Sequence, residues 1–438
     1  MGVKAVKFGG SSLASAEQFQ KVISIIRADP ARTVVVPSAP GKRFSDDQKV
    51  TDMLYTVHKT AQCGGDTAAE LGAIKARYDE IIAGLGLALD LAAEFEEIAR
   101  KLAAGASADY AASRGEYLNG IVIAAALGFA FLDAAEAVFF RENGQLDEER
   151  TYATLGEALK KHPQAVLPGF YGSMPDGSIR TFSRGGSDIT GALAARAACA
   201  EVYENWTDVS GVLAADPRII KNARTIKAIT YRELREMSYM GATVLHEDAI
   251  FPVRRAGIPI RILNTNAPEE PGTLITADSA EGAATIVTGI AGRRGFSVIG
   301  IEKAMMNSEL GFGRRVLQVL DECGISFEHL PTGIDTLSVV VESQYLNGNR
   351  DGILNNIRDA VQPDDINCID GMALIATVGR GMVSSKGTAA RLFGALAAAG
   401  INIRMIDQGS SELNIIVGVE EGDFEAAIAA IYREFIEV

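Results

Sequence analysis

The chain has 438 residues, 47% of them hydrophobic and 22% charged, with a formal net charge of −14. This is the composition of a soluble globular protein of about three domains, and the acidic balance argues against nonspecific binding to nucleic acid or to a membrane surface. Cys63, Cys199, Cys323 and Cys368 form no CxxC pair and the four histidines show no ligand spacing, so a disulfide framework or metal cluster is not expected, and reduced thiols in a cytoplasmic protein are.

The N-terminal MGVKAVKFGGSS lacks the long apolar run of a signal peptide. No apolar run reaches the ~18 residues of a membrane span. Residues 3–8 (VKAVKF) are a short strand that stops at Gly9-Gly10. The following segment predicts an amphipathic helix with Ala16, Phe19, Val22, Ile23 and Ile26 on one face. TVVVPSAP (33–40) is a buried strand, 66–104 are helical, and Ser113–Leu127 start a helix rich in small residues. AVLPGF (165–170) is strand-like and leads into the Gly-rich FSRGGSDIT (182–190) and another helix. EVYENWTDV (201–209) is a further strand ending in a loop. The alternation predicts an α/β fold, a mostly parallel sheet with helices on both faces. The turns at 9–12, 37–41, 184–188 and 207–211 should then gather on the rim at the carboxyl ends of the strands, where such sheets bind ligands.

Near residue 267 the character changes, in the boundary-like APEEPGTLIT. Beyond it a strand–helix–strand–strand unit, with its helix ending at Gly324, recurs about 75 residues later with its helix ending at Gly400. The unit is a ferredoxin-like βαββαβ motif.

Several residues are suited to chemistry. Gly9-Gly10 after a strand opens the backbone to phosphate oxygens, and Lys7 offers charge for a transferring phosphoryl. A strand-ending Gly pair is also a common tight turn. GRGMVSSKG (379–387) lacks phosphate-loop spacing. In SRGGSDIT (183–190), Arg184 suits a carboxylate, Gly185-Gly186 an anion, and Asp188 an ammonium group. Ser187 or Asp188 could equally cap the helix. Glu116 is either an ammonium ligand or a helix-dipole partner. Together these groups suit an amino-acid substrate. Were the acceptor a carboxylate, with a pKa of about 4, no general base would be needed, which agrees with the lack of an evident catalytic histidine.

The ordered motifs KFGGSS (7–12), VVVPSAPGK (34–42), VTDML (50–54), SRGE (113–116), SRGGSD (183–188), WTDVSGV (206–212), ADPR (215–218) and MSYMGATVLH (237–246) resemble aspartate kinases over nearly the whole chain. The resemblance implies a three-layer α/β/α amino-acid-kinase domain (1–278) followed by two ferredoxin-like ACT domains (285–360 and 368–438), with strands exchanged between them. It implies transfer of the γ-phosphoryl of ATP to the β-carboxylate of L-aspartate, with Mg²⁺ arriving on ATP. Lys7, Phe8, Gly9 and Gly10 would hold the phosphates, joined by Gly185, Gly186 and Ser187. Thr207, Asp208, Leu213, Asp216, Arg218 and Arg224 would line the nucleotide pocket. Ser38, Thr51 and Glu116 would bind aspartate, Arg184 its α-carboxylate, with Asp188 on the ammonium side. Lys7, Arg184 and Asp188 would be the catalytic group. Paired ACT domains imply a homodimer or tetramer and feedback by an end-product amino acid, lysine first and threonine second, at Met305, Ser308, Phe312, Glu328 and Asp335. The sequence departs from the family at Leu213-Ala214, where an aromatic and Thr are common, and at Arg224, near a usual Lys. Its 42–49 loop (KRFSDDQK) is also longer and more charged than in many members. Kinases of glutamate, N-acetylglutamate or carbamate resemble the first domain alone. The chain ends after the second repeat, which leaves no room for a fused dehydrogenase. A decayed kinase acting only as an amino-acid sensor is disfavoured by the presence of Lys7, Glu116, Arg184 and Asp188.

Overall fold

The computed structural model describes residues 2–183, 185–242, 245, 250–277 and 285–437. Arg184, Thr243, Val244 and His246 lie outside them. The chain forms two compact units, one of Met1–Val212, Thr225–Tyr231 and Thr243–Ser279, the other of Leu213–Arg224, Arg232–Ala242 and Ala280–Val438.

The strands of the first unit are β1 (Lys4–Phe8), β2 (Arg32–Pro37), β3 (Ala130–Phe131), β4 (Ala165–Val166), β5 (Tyr171–Ser173), β6 (Ile179–Thr181), β7 (Val202–Thr207), β8 (Ala228–Thr230), β9 (Ile260–Asn264) and β10 (Thr273–Thr276). Eight of them form one sheet in the order β3-β4-β2-β1-β7-β9-β10-β8. All its pairings are parallel except β9 with β10. β1 lies between β2 and β7, with Lys7 beside Val36 on one side and Asn205 on the other. Such a central strand is buried on both faces and reads as a continuous apolar run. Lys7 is the interruption, and it is 8% exposed.

Helices α1 (Ala16–Ala28), α2 (Val50–Gln62), α3 (Ala68–Gly84), α4 (Ala92–Ala103) and α5 (Ala108–Leu127) bury one face of the sheet. Val6 and Phe8 of β1 point into that core. α1 starts where Ser15 accepts from the Gln18 N–H, and it buries Phe19, Val22, Ile25 and Ile26. Ile25 rather than Ile23 completes the stripe. The helical region predicted over 66–104 is two helices, broken after Gly84. α6 (Ala134–Ala137), α7 (Glu148–Lys161) and α8 (Gly186–Ala197) follow, and α8 packs on β1, β2 and β7.

In the second unit α9 (Tyr231–Tyr239) precedes the repeats, while α10 (Ile250–Ala256) belongs to the first unit. The repeats use β11 (Gly289–Glu302), β12 (Phe327–His329), β13 (Thr336–Glu342), β14 (Asp365–Val378), β15 (Met405–Asp407) and β16 (Asn414–Glu420), with α11 (Phe312–Glu322), α12 (Arg350–Val361), α13 (Thr388–Ala398) and α14 (Phe424–Phe435). The sheet order is β12-β13-β11-β14-β16-β15. One repeat is a continuous stretch of chain and the other is not. The second half of β11 pairs with β13 and the first half of β14, completing one ferredoxin-like unit. The first half of β11 pairs with the second half of β14, which pairs with β16, completing the other. The register shifts near Phe296, beside Gly295 at φ +88°.

Candidate active site

The first unit carries a cavity of about 610 Å³ at the carboxyl ends of β1, β2 and β7. Ser38 on the loop after β2 and Thr51 in the first turn of α2 line it, with Gly9 and Gly10 after β1, Thr207 and Asp208 at the end of β7, and Glu116 of α5. The glycine rim is a place where two backbones touch. The Gly41 N–H donates to the Gly10 carbonyl at 2.8 Å. A Cβ on Gly41 would sit 2.6 Å from the Gly10 carbonyl carbon, and one on Gly10 would sit 2.9 Å from the Ala39 oxygen. No side chain fits between them.

Glu116 is 5% exposed, and its Oε2 is buried with no hydrogen-bond partner. Burial pushes its carboxyl up to about 8, while backbone N–H groups of Ala39 and Glu116 and the Arg114 charge pull the other way. Arg114 is stacked with its guanidinium carbon 4.4 Å from the Tyr117 ring centroid and 4.7 Å from that of Tyr110. A buried carboxyl with an empty acceptor at a polar cavity is suited to receiving an ammonium ion.

On the other face of the sheet, Lys7 Nζ lies 2.6 Å from Asp188 Oδ1 of α8. Asn205 of β7 joins them: its Nδ2 donates to Asp188 Oδ1 at 2.8 Å and its Oδ1 accepts from Lys7 at 3.4 Å. Asp188 and Ser187 do not cap α8. Gly185 holds the cap position at φ +59° with no side-chain cap bond. The Asp188 carboxylate is committed to Lys7 and Asn205 instead. Phe8 is fully buried and stacks on Trp206 at 5.9 Å. Only its carbonyl reaches the rim loops, accepting from the Ser38 N–H at 3.0 Å.

The amino acid kinase family matches residues 2–264, and an ACT domain matches residues 375–435. Aspartokinase 3 of Bacillus subtilis is 37% identical over 450 residues, covering 99% of this chain and 98% of its own. The chain belongs to the aspartokinases. The crystal structure of Clostridium acetobutylicum aspartate kinase is 50% identical and superposes with a TM-score of 0.91 over 99% of this chain and all of that one. E. coli aspartokinase III in complex with aspartate and ADP shares the fold at 24% identity and a TM-score of 0.74, covering 99% of each chain.

In this aspartokinase, Leu213, Asp216, Arg218 and Arg224 belong to the second unit. Asp216 pairs with exposed Arg218 at 2.6 Å, and Arg224 donates its N–H to the Tyr432 hydroxyl of α14 at 2.8 Å. The sequence placed this segment with the kinase domain. The kinase family match includes it, and its backbone also bonds to the repeats, with Ile290 of β11 donating to the Ala214 carbonyl at 2.8 Å. α9 is held likewise: buried Glu233 accepts from Thr288 and from the Arg380 N–H.

A second cleft, of about 400 Å³, lies in the first repeat between the start of α11 and the β12–β13 connection. Phe312 lines it, as do Met306, Glu309 and Thr332. Of the other predicted effector residues, Met305 is 70% exposed and donates its N–H to Asp335. Ser308 bonds to Asn307, and Glu328 accepts from Tyr239 at 2.5 Å.

Sequence reasoning missed Asn205, Asn119 and Arg77. Asn119 of α5 donates to the Ser38 carbonyl at 2.6 Å and so fixes the rim loop. Asn205 carried one signal, a polar side chain within a strand otherwise suited to burial on both faces. Arg77 carried none, since an arginine in a mixed helix normally faces water.

Proposed function

We propose that the cavity binds L-aspartate and ATP and transfers the γ-phosphoryl to the β-carboxylate, giving 4-phospho-L-aspartate and ADP. The observation that carries this reading is the buried, unpartnered Glu116 carboxyl at the wall of a cavity rimmed by Gly9 and Gly10. Glu116 takes the substrate ammonium, and Ser38 and Thr51 present hydroxyls to the rest of the amino acid. Arg184 would hold the α-carboxylate. A β-carboxylate oxygen attacks the γ-phosphorus, a new P–O bond forms, and the bond to the bridging oxygen breaks with its electron pair leaving on ADP. The acceptor is already ionised near neutrality, so no proton moves and catalysis is positioning and charge neutralisation. Lys7 supplies charge from below, oriented by Asp188 and Asn205. The hard carboxylate oxygens of Asp208, which lines the cavity, suit Mg²⁺ held chiefly by the nucleotide phosphates.

The cleft at Phe312 takes an end-product amino acid, lysine before threonine. Leu310 and Ile334 of the same repeat are 97% and 71% exposed, as fits burial in a homodimer through the repeats. No helix among the described residues is long and apolar enough to cross a membrane, in keeping with work in the cytoplasm on soluble substrates.

The test is ADP release with the acyl phosphate trapped by hydroxylamine. Turnover should require aspartate, and added lysine should reduce it. A higher kcat/KM with glutamate than with aspartate would contradict the assignment.

A further inference from the structure

The cavity faces two anionic substrates in a chain of net charge −14, so its own cations decide what it can hold. Lys7 is already bound to Asp188 at 2.6 Å. Arg43 is bound to Asp47 at 2.9 Å and to Glu80 at 3.3 Å. Lys42 donates to the Ser45 carbonyl at 3.1 Å. Lys49 also lines the cavity, and among the described residues no carboxylate lies within ion-pair distance of it.

Lys49 has an exposed side chain on a backbone held at both neighbours. It occupies the cap position of α2 in extended conformation, with no side-chain cap bond. The next residue, Val50, is fully buried and donates its N–H to the Pro40 carbonyl at 3.1 Å. The preceding residue, Gln48, offers its carbonyl to Arg77 Nη1 at 2.7 Å. Arg77 is 4% exposed. It also donates to the Gly41 carbonyl and lies 3.4 Å from Asp47. Asp47 in turn accepts the Arg43 N–H at 2.9 Å. One buried guanidinium therefore ties both ends of the 42–48 loop and its internal acid. Burying a cation is costly unless its donors are used; Nη1 and Nη2 are spent on the carbonyls of Gln48, Gly41 and Ala14, while Nε is buried without a partner. The charged insertion that sets this sequence apart is a braced wall of the cavity.

The acceptor has three charged groups. Glu116 answers the ammonium, and Arg184 is assigned the α-carboxylate. The side-chain carboxylate has the Ser38 and Thr51 hydroxyls but no cation of its own. Lys49 stands two residues before Thr51, on the same rim. As the carboxylate meets the phosphoryl, two anions are brought together, and a cation there is worth more in the transition state than in the ground state.

We propose that Lys49 is a further substrate-binding residue, which neutralises the acceptor's side-chain carboxylate as the phosphoryl reaches it, and that Arg77 is the residue that positions it. This rests on the reaction proposed above.

The test is steady-state kinetics of Lys49→Met and Lys49→Arg in the full chain. Lys49→Met should lower kcat/KM for aspartate by about 10- to 100-fold, the range for a lost charge-assisted bond, with Lys49→Arg recovering part of it. Because the side chain is exposed and caps nothing, the melting temperature and the Kd for ADP should stay at wild-type values. The aspartate kcat/KM of the wild type should fall with added salt, and that of Lys49→Met should fall less steeply. An active wild type with Lys49→Met within about twofold of it, or with equal salt slopes, overturns this inference and leaves the proposed reaction standing. A wild type with no aspartate-dependent turnover overturns both.

Discussion

Glu116 borders one cleft and Glu309 the other, and their surroundings are opposite. Glu116 is buried at the catalytic cavity with an empty Oε2, and burial raises its pKa. Glu309 borders the cleft of the first repeat, where Lys303 at 2.7 Å and Arg315 already hold it, and they lower its pKa. A catalytic site gains from a group whose charge is stabilised only when substrate arrives, because the binding is then selective for the ligand's own cation. A carboxylate with two resident cations has less to offer an incoming ammonium. The contrast teaches that the cavity at Glu116 has an unmet electrostatic need, whereas the cleft at Phe312, lined also by Met306 and Leu310, has its carboxylate already answered and offers shape and apolar contact.

The sharpest way to break this contrast is Glu116→Gln. Removing one partner of a buried charged pair costs roughly 2–5 kcal/mol, so kcat/KM for aspartate should fall at least about 30-fold, read by coupled ADP release. The same change should stabilise the protein at alkaline pH. The Glu116 carboxyl titrates at about 8 in the folded chain, against about 4.3 when unfolded. Its neutral form contributes stability that is fully present below the unfolded value and is lost as pH rises through the folded one. The melting temperature of Glu116→Gln should therefore match the wild type near pH 4, move ahead of it as pH rises, and level off above about pH 8.

Asn205→Leu should have a smaller effect. It keeps the branched shape but removes both bonds to the Lys7–Asp188 pair, so kcat should fall about tenfold with KM for aspartate little changed. A loss confined to KM would place Asn205 in substrate binding instead. Glu309→Gln should matter least. An ion pair at the surface contributes little, so half-inhibition by lysine should shift by less than about fivefold. A larger shift would mean that Glu309 leaves Lys303 and Arg315 to take up the effector.

The layered fold, the carboxyl-end rim and the ferredoxin-like repeats were legible in the sequence because each rests on local periodicity and turn chemistry. Gly9, Gly10, Ser38, Thr51, Glu116, Thr207 and Asp208 do converge on one cavity. The rest depends on long-range packing. Nothing local shows that residues 213–224 and 232–242 join the repeats, since their partners, such as Tyr432 and Thr288, lie far along the chain. Nor does a run of β-formers reveal that β11 and β14 are each divided between two repeats. Asp188 was assigned as either a cap or a ligand. The left-handed Gly185 relieves it of capping, and that depends on a backbone angle no composition specifies.

The most direct test of the account is the proton balance of aspartate binding, by calorimetry in buffers of different ionisation enthalpy. Near pH 7 the free enzyme holds Glu116 mostly protonated, and pairing with the substrate ammonium ionises it. Nearly one proton should be released per aspartate bound, declining to none above about pH 9 and absent at every pH in Glu116→Gln. Buffer-independent binding enthalpy near pH 7 in the wild type, with aspartate still binding tightly, would contradict the claim that Glu116 is the group waiting for the ammonium.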